Sequence, residues 1–216
     1  RYISVTGVQT CALPIFGKQL EIPEKWEFKQ IGKLSKLVSG GTPSTTNQEF
    51  WNGNIPWTKS AVLTQHYIDK GERFITIKGL DNSSSVIIPK NNLLIASRVS
   101  MGNLSINKID IAINQDITGI IMDKEKSSEE YLYWYLLNNI SKLVSFSQGS
   151  TIQGFTRKEL AEFLVALPSI TEQQKIASIL SSMDLEIQHL EKLHSKYVNL
   201  KQGMMQKLLT GEIRLV

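Results

Sequence analysis

Residue types able to do bond chemistry are few in this 216-residue chain, and their spacing does not gather them into a reactive set. Gly40-Gly41-Thr42 has the backbone freedom of a phosphate cradle. The G-x-x-x-x-G-K-[ST] pattern that would add a lysine and a hydroxyl does not follow it. His189 and His194 lie five apart, which puts them on different faces of a helix, and His66 stands alone, so no metal set is expected. The single Cys11 excludes an intrachain disulfide and a multi-cysteine zinc site. Glu129 and Glu130 open a helical pattern and read as helix-opening acids, not as a catalytic pair. There is no G-x-S-x-G elbow, no G-x-G-x-x-G fingerprint, no Asn/Asp-Pro-Pro-aromatic motif and no Pro-Asp…Glu-x-Lys core. The chain is therefore expected not to catalyse on its own and to need no cofactor of its own.

The elements that position its side chains are mixed, giving an α+β class. Residues 17–169 read as a β-rich domain with packed helices. Ile22-Pro-Glu-Lys-Trp26 opens it, with Trp26 as a core anchor. Ile31–Val38 suits a short helix or a strand. Ser39-Gly-Gly-Thr-Pro-Ser44 is a loop, and Phe50-Trp-Asn-Gly-Asn-Ile-Pro-Trp57 carries an Asn-Gly turn between aromatics. Strands are expected at 73–77, 86–88, 93–97, 104–107 and 117–122 from their β-branched residues and flanking turns. A helix is expected over 129–146, capped by Ser127 or Ser128, with Leu132, Leu136, Ile140, Leu143 and Val144 on one face. A Thr156-capped turn and a strand-like Phe163–Leu167 follow.

Residues 170–216 read as one long helix and a tail. Pro168 ends the preceding segment, Thr171 with Gln174 forms a capping-box pattern, and Gly211 suits a left-handed stop. Ile176, Leu180, Met183, Ile187, Leu190, Leu193, Tyr197, Leu200, Met204 and Leu208 make an apolar seam in steps of three and four, with a slip at Leu190. A helix of about 38 residues is about 57 Å long. Its seam could lie on its own domain, but the length and near-heptad spacing favour a partner helix.

The net charge of +4 permits nucleic-acid binding without demonstrating it. No run of about 18 apolar residues exists, so no membrane span is expected. Cysteine usage suits the cytoplasm. Residues 1–16 lack a methionine start and a periodic pattern, and resemble the conceptual translation of a sequencing-library adaptor. They are expected to be a non-native leader outside the fold, which would place Cys11 outside the natural protein.

In sequential order, these pieces resemble the specificity subunit of type I restriction-modification systems, over about nine-tenths of the chain. The resemblance rests on Ile22-Pro-Glu-Lys-Trp26, Ser39-Gly-Gly-Thr-Pro-Ser44, Trp51-Asn-Gly-Asn-Ile-Pro-Trp57, Asn114-Gln115, Gly149-Ser-Thr151 and Leu167-Pro-Ser-Ile-Thr-Glu-Gln-Gln-Lys-Ile-Ala177. Leu200-Lys-Gln-Gly-Met-Met-Gln-Lys-Leu-Leu-Thr-Gly-Glu-Ile-Arg214 completes it. It implies a target-recognition domain that reads half of a bipartite site in double-stranded DNA and a spacer helix that packs against another. It also implies methylation and restriction subunits docked around that scaffold, which hold the S-adenosylmethionine, ATP and Mg chemistry. With one domain and one helix the chain is similar to the C-terminal half. Either a truncated gene or a half-size subunit that homodimerises accounts for that. A recognition module of a fused methyltransferase-nuclease and a coiled-coil protein adaptor are rival classes.

The implied DNA contacts are loop residues: Thr42, Ser44, Thr58, Lys59, Ser60, Arg98, Ser100, Asn103, Ser150, Thr151 and Gln153. Arg98 is the foremost candidate for a bidentate contact to guanine, against a surface salt bridge at a strand end. Asn114-Gln115 could bond adenine or brace a turn. Trp51 and Trp57 are expected in the core, and Gly40, Gly41 and Pro43 to shape the loop.

Overall fold

The computed structural model describes residues 10–15, 18–23, 25–145 and 154–215. The chain divides into two units between Gln174 and Lys175. In the first, an antiparallel hairpin of β1 (Thr10–Ile15) and β2 (Lys18–Pro23) comes first. Part of the expected leader is thus strand-paired, but only with β2, in a two-stranded sheet apart from the others. Ladder hydrogen bonds use backbone groups that every extended residue except proline supplies in full, so an unpatterned sequence can still pair.

Next come β3 (Glu27–Gln30), α1 (Ile31–Leu34) and β4 (Ser35–Ser39), so the stretch expected as helix or strand is both in turn. Then follow β5 (Trp51–Thr58), β6 (Tyr67–Ile68), β7 (Arg73–Ile75), α2 (Ile77–Asp81) and β8 (Val86–Ile88). The series continues with β9 (Leu93–Ala96), β10 (Leu104–Asn107), β11 (Ile111–Ile113) and β12 (Ile117–Met122). It closes with α3 (Glu129–Ser145), α4 (Arg157–Glu162) and β13 (Leu164–Leu167).

Two mixed sheets carry the core, one in the order β4-β12-β9-β10-β6 and the other in the order β7-β5-β11-β8. Side chains alternate across a strand, and β11 shows what that does. Ile111 and Ile113 join a cluster with Leu94, Ala96 and Ile117 of the larger sheet, while Ala112 joins Trp51, Trp57 and Ile75 on the other face. All three β11 residues are buried. Such a strand reads as a continuous apolar run with no polar alternation. The larger sheet is covered in turn by α3, which packs on β10.

Two local expectations are corrected. Asn52-Gly53 does not reverse the chain but bulges β5, where Ile75 of β7 faces both Trp51 and Ile55. Asn52 takes a φ of +61°, the left-handed conformation that also makes this dipeptide common in turns. The strand expected over 73–77 ends at Ile75, because the Thr76 side chain accepts from the Gly79 amide at 3.1 Å and starts α2.

Helix α5 (Ile170–Leu209) runs for 40 residues from the end of the first unit through the second. Its cap is Ser169, whose hydroxyl accepts from the Glu172 amide at 3.4 Å, two residues before the expected Thr171. Gly211 at φ +75° ends it as expected, donating to the Leu208 carbonyl while Ile213 donates to that of Lys207. Within the second unit the seam stays open to solvent from Leu180 to Met204.

Candidate nucleic-acid interface

Three segments of the first unit meet at neighbouring ends of β4, β9, β11 and β12. The first is the loop from Ser39 to Thr46. Gly40 and Gly41 let it pass against other backbone: a side chain at Gly40 would overlap the Ile113 carbonyl, and one at Gly41 would lie 2.6 Å from the Ser84 carbonyl carbon. The buried tryptophans hold the loop from beneath. The Trp57 indole donates to the Gly41 carbonyl at 3.2 Å, and the Trp51 indole to that of Ser44 at 3.0 Å. The two rings meet edge to face, with centroids 5.4 Å apart. Thr42 is thereby presented at the surface, where its hydroxyl donates to Gln115 Oε1 at 2.6 Å.

Gln115 belongs to the second segment, Asn114–Asp116. Asn114 is the brace: its amide donates to Asp116 Oδ2 at 3.0 Å and its Oδ1 accepts from the Asp116 amide at 3.3 Å. The Asp116 carbonyl accepts from the Ser97 amide at 2.8 Å and fixes the start of the third segment. There Arg98, Val99 and Ser100 are exposed in a tight β9–β10 loop, closed by an Asn103 amide to Ser100 carbonyl bond of 3.0 Å. Ser100 (φ +56°) and Gly102 (φ +90°) turn it through left-handed conformations.

Against this loop lies the chain at 154–158. Phe155 donates to the Ser97 carbonyl at 3.1 Å. Gly154, at φ +136°, has no room for a side chain against that same carbonyl. Between them opens a cleft of about 410 Å³ whose lining includes Ser39, Arg98, Gln115, Thr118, Arg157 and Lys158. Among the described residues, no carboxylate lines it.

A family model for the type I restriction modification DNA specificity domain matches residues 23–196. The chain belongs to the type I specificity family. It is 37% identical to the type I restriction enzyme MjaIX specificity subunit of Methanocaldococcus jannaschii over 80% of this chain and 41% of that protein. It is 31% identical to the EcoR124I/EcoR124II specificity subunit of Escherichia coli, over 73% and 41%. The chain thus spans less than half the length of these curated relatives. A solved structure on the assembly and conformational transition of the type I R-M system shares the fold, with a TM-score of 0.70 at 16% identity over 87% of this chain and 46% of that one. The HsdS subunit from Thermoanaerobacter tengcongensis does so with a TM-score of 0.63 at 16% identity, over 87% and 45%.

Of the site residues expected in this specificity-family chain, Thr42, Ser44, Arg98 and Ser100 are exposed, and Asn103 is half-buried. Arg98 makes no ion pair among the described residues, against the surface salt bridge that was its alternative. Lys59 is exposed but pairs with Glu72 at 2.6 Å. Thr58 and Ser60 are corrections: both are buried, at 0% and 2% exposure, and offer no surface to a groove. Thr58 is the inward end of β5 and accepts the Asn114 amide on its carbonyl at 3.1 Å. Ser150, Thr151 and Gln153 lie outside the described residues. Arg157 and Lys158 went unnoticed in the sequence. Their signal was two cations opening a Thr156-capped helix, where the dipole favours acids.

Proposed function

We propose that this chain is the DNA-recognition part of a type I specificity subunit, reading one half of a bipartite site and performing no bond chemistry. The observation that carries this is the surface just described. Exposed hydrogen-bonding side chains, Thr42, Gln115 and Ser100, with the half-buried Asn103, sit on loops braced by buried tryptophans and asparagines, beside a cleft rich in cations. Base edges are read by donors and acceptors held in fixed positions, and phosphates are gripped by charge. Loops anchored on a rigid sandwich supply the first, and Arg98, Arg157 and Lys158 the second.

In this reading α5 is a spacer. Its seam of ten apolar residues would pair with a helix from a second specificity half or a second copy of the chain. At 40 residues the helix is about 60 Å long, longer than the roughly 34–36 Å of one duplex turn. Two recognition domains so joined could reach separated half-sites. Methylation and restriction subunits would dock on this scaffold in the cytoplasm and supply the S-adenosylmethionine, ATP and Mg chemistry.

The test is genetic and biochemical together. A methylome comparison with and without the gene should reveal a bipartite modified motif. The chain mixed with a methylation subunit should shift a duplex bearing that motif, with binding that weakens as salt rises. An unchanged methylome together with salt-insensitive binding refutes the proposal and favours a protein adaptor.

A further inference from the structure

We infer that the cleft between Arg98 and the Arg157–Lys158 pair is a phosphate seat for the DNA backbone, so that Arg98 positions the duplex and does not read guanine. This rests on the DNA-recognition reading and assigns a role within it. A guanine-reading arginine presents its fork to two acceptors in one plane on a base edge. Arg98 instead shares a single concavity with two further cations, contributed by a segment more than fifty residues away. Three positive side chains lining one cleft would repel one another around a neutral base edge. They match a group carrying a full negative charge and several acceptor oxygens, which is a phosphodiester.

The rest of the lining agrees. Ser39, Gln115 and Thr118 bring neutral polar groups, and among the described residues the lining holds no carboxylate. Neither arginine is tied up in an ion pair among the described residues, and the Lys158 ammonium lies at 4.0 Å from Glu162, the limit of a contact. The cleft is also built and not incidental. Gly154 lets the 154–158 segment lie against Ser97 and Arg98, and a side chain there would collide with the Ser97 carbonyl. The Thr156–Glu159 capping box then fixes the backbone that carries Arg157 and Lys158: the Glu159 amide donates to Thr156 Oγ1 at 3.2 Å, and the Thr156 amide to Glu159 at 2.6 Å. Gln115 belongs both to this cleft and to the Thr42 pair. A phosphate seated here would set the register of the duplex against the Thr42–Gln115 loops, leaving base reading to them.

The experiment uses the full chain with its methylation subunit, a duplex bearing the motif and a scrambled duplex, measured by anisotropy between about 50 and about 200 mM salt. Arg98→Ala, Arg157→Ala and Lys158→Ala should each weaken both duplexes alike and lower the salt slope by about one. Arg98→Lys should restore most of the binding, since an ammonium still grips phosphate but cannot form the guanine fork. All three side chains are exposed, so the variants keep the fold. Loss confined to the motif duplex with an unchanged slope overturns the assignment and makes Arg98 a base reader. A salt-sensitive wild type whose slope survives all three alanines sinks the cleft alone, whereas a wild type without salt sensitivity sinks the recognition reading as well. Titration with adenosine 5′-monophosphate separates the other source of a phosphate ester. Binding of this nucleotide that the three alanines abolish, with duplex affinity intact, reassigns the cleft to a free nucleotide and overturns the proposal.

Discussion

Thr42 and Gln115 lie 73 positions apart in sequence, yet the threonine hydroxyl donates to the glutamine Oε1 at 2.6 Å across the exposed rim. The bond joins the glycine-rich loop to the β11–β12 turn. It leaves the glutamine amide nitrogen and the threonine lone pairs for an outside partner. Thr42→Val and Gln115→Leu should each reduce discrimination between motif and scrambled duplexes by about 1–3 kcal/mol, with the salt slope unchanged. Because the two groups act through one contact, the double variant should lose less than the sum of the single losses. Anisotropy on the four proteins gives the coupling directly, and strict additivity would mean that the pair does not read DNA as a unit.

Trp57 controls the same loop from inside. Its indole N–H satisfies the Gly41 carbonyl, and its ring packs edge to face on Trp51. Trp57→Phe keeps an aromatic ring but removes the donor and leaves a small void. The expected cost is about 2 kcal/mol in urea unfolding. Hydrogen exchange should accelerate at Gly41, whose amide donates to Ile113, and stay slow at the β11 amides. Uniform acceleration across the sheets would instead show a global loss of stability with no special hold on the loop.

Much of this scaffold was legible in the sequence, and the exceptions have physical causes. β10 and β12 were bounded correctly because β-branched residues and turn residues flank them. β11 was missed because three buried residues facing two cores carry no alternation to recognise. Asn52-Gly53 signalled a left-handed residue correctly, but a bulge and a hairpin share that need, and pairing with β7 decided between them. The start of α5 was displaced because Ser169 and Thr171 both precede an acid or amide three positions on, and Pro168 allows either. The site was half visible: loop chemistry exposed Thr42 and Arg98, whereas the joining of Arg98 with Arg157 and Lys158 depends on tertiary contacts through Phe155 and Gly154. Thr58 and Ser60 failed for the opposite reason, being polar residues used inside the fold.

Glu130, read from the sequence as a helix-opening acid, is also the centre of a polar cluster on the first unit. His66 Nε2 lies 3.0 Å from one of its oxygens, the Tyr67 hydroxyl donates at 3.1 and 3.2 Å, and Lys108 stands at 3.5 Å. The His66 ring stacks on Tyr67 and Tyr133. Burial alone would raise the Glu130 pKa, but hydrogen bonding and charge from His66, then Lys108 and the Tyr67 hydroxyl, outweigh it and hold the carboxyl below its ordinary 4.5. A depressed carboxylate stabilises the fold above its unfolded value and loses that contribution as pH falls through the folded one. Stability should therefore decline below about pH 4.5, and Glu130→Gln should flatten that acid limb while costing about 1 kcal/mol near neutrality, a modest figure because the group is partly exposed. Urea midpoints of the two proteins across pH 3 to 7 (roughly the carboxylate range) check the sign. A parallel displacement with no change in shape would remove Glu130 from the titration.

Leu180 and Leu190 place the spacer reading at risk. Both are on the apolar seam of α5, at 37% and 52% exposure, with Met183 at 58% and Ile187 at 51% between them. Burying a leucine fully is worth about 1.5–3 kcal/mol, and a stripe left open along most of a long helix forgoes that gain repeatedly. Pairing with a second helix recovers it, and the threes and fours of the seam are the spacing a paired helix presents. Leu180→Glu with Leu190→Glu would set two carboxylates into that interface, where desolvating each unpaired charge costs several kcal/mol. Sedimentation should then show the assembled wild type replaced by a single chain. The melting of the β-rich unit should stay the same, because its core is built from β4 to β12 and α3. Sedimentation unchanged by both glutamates, with binding to the methylation subunit also intact, would mean that the seam meets no helix, and the helix could not set the distance between half-sites.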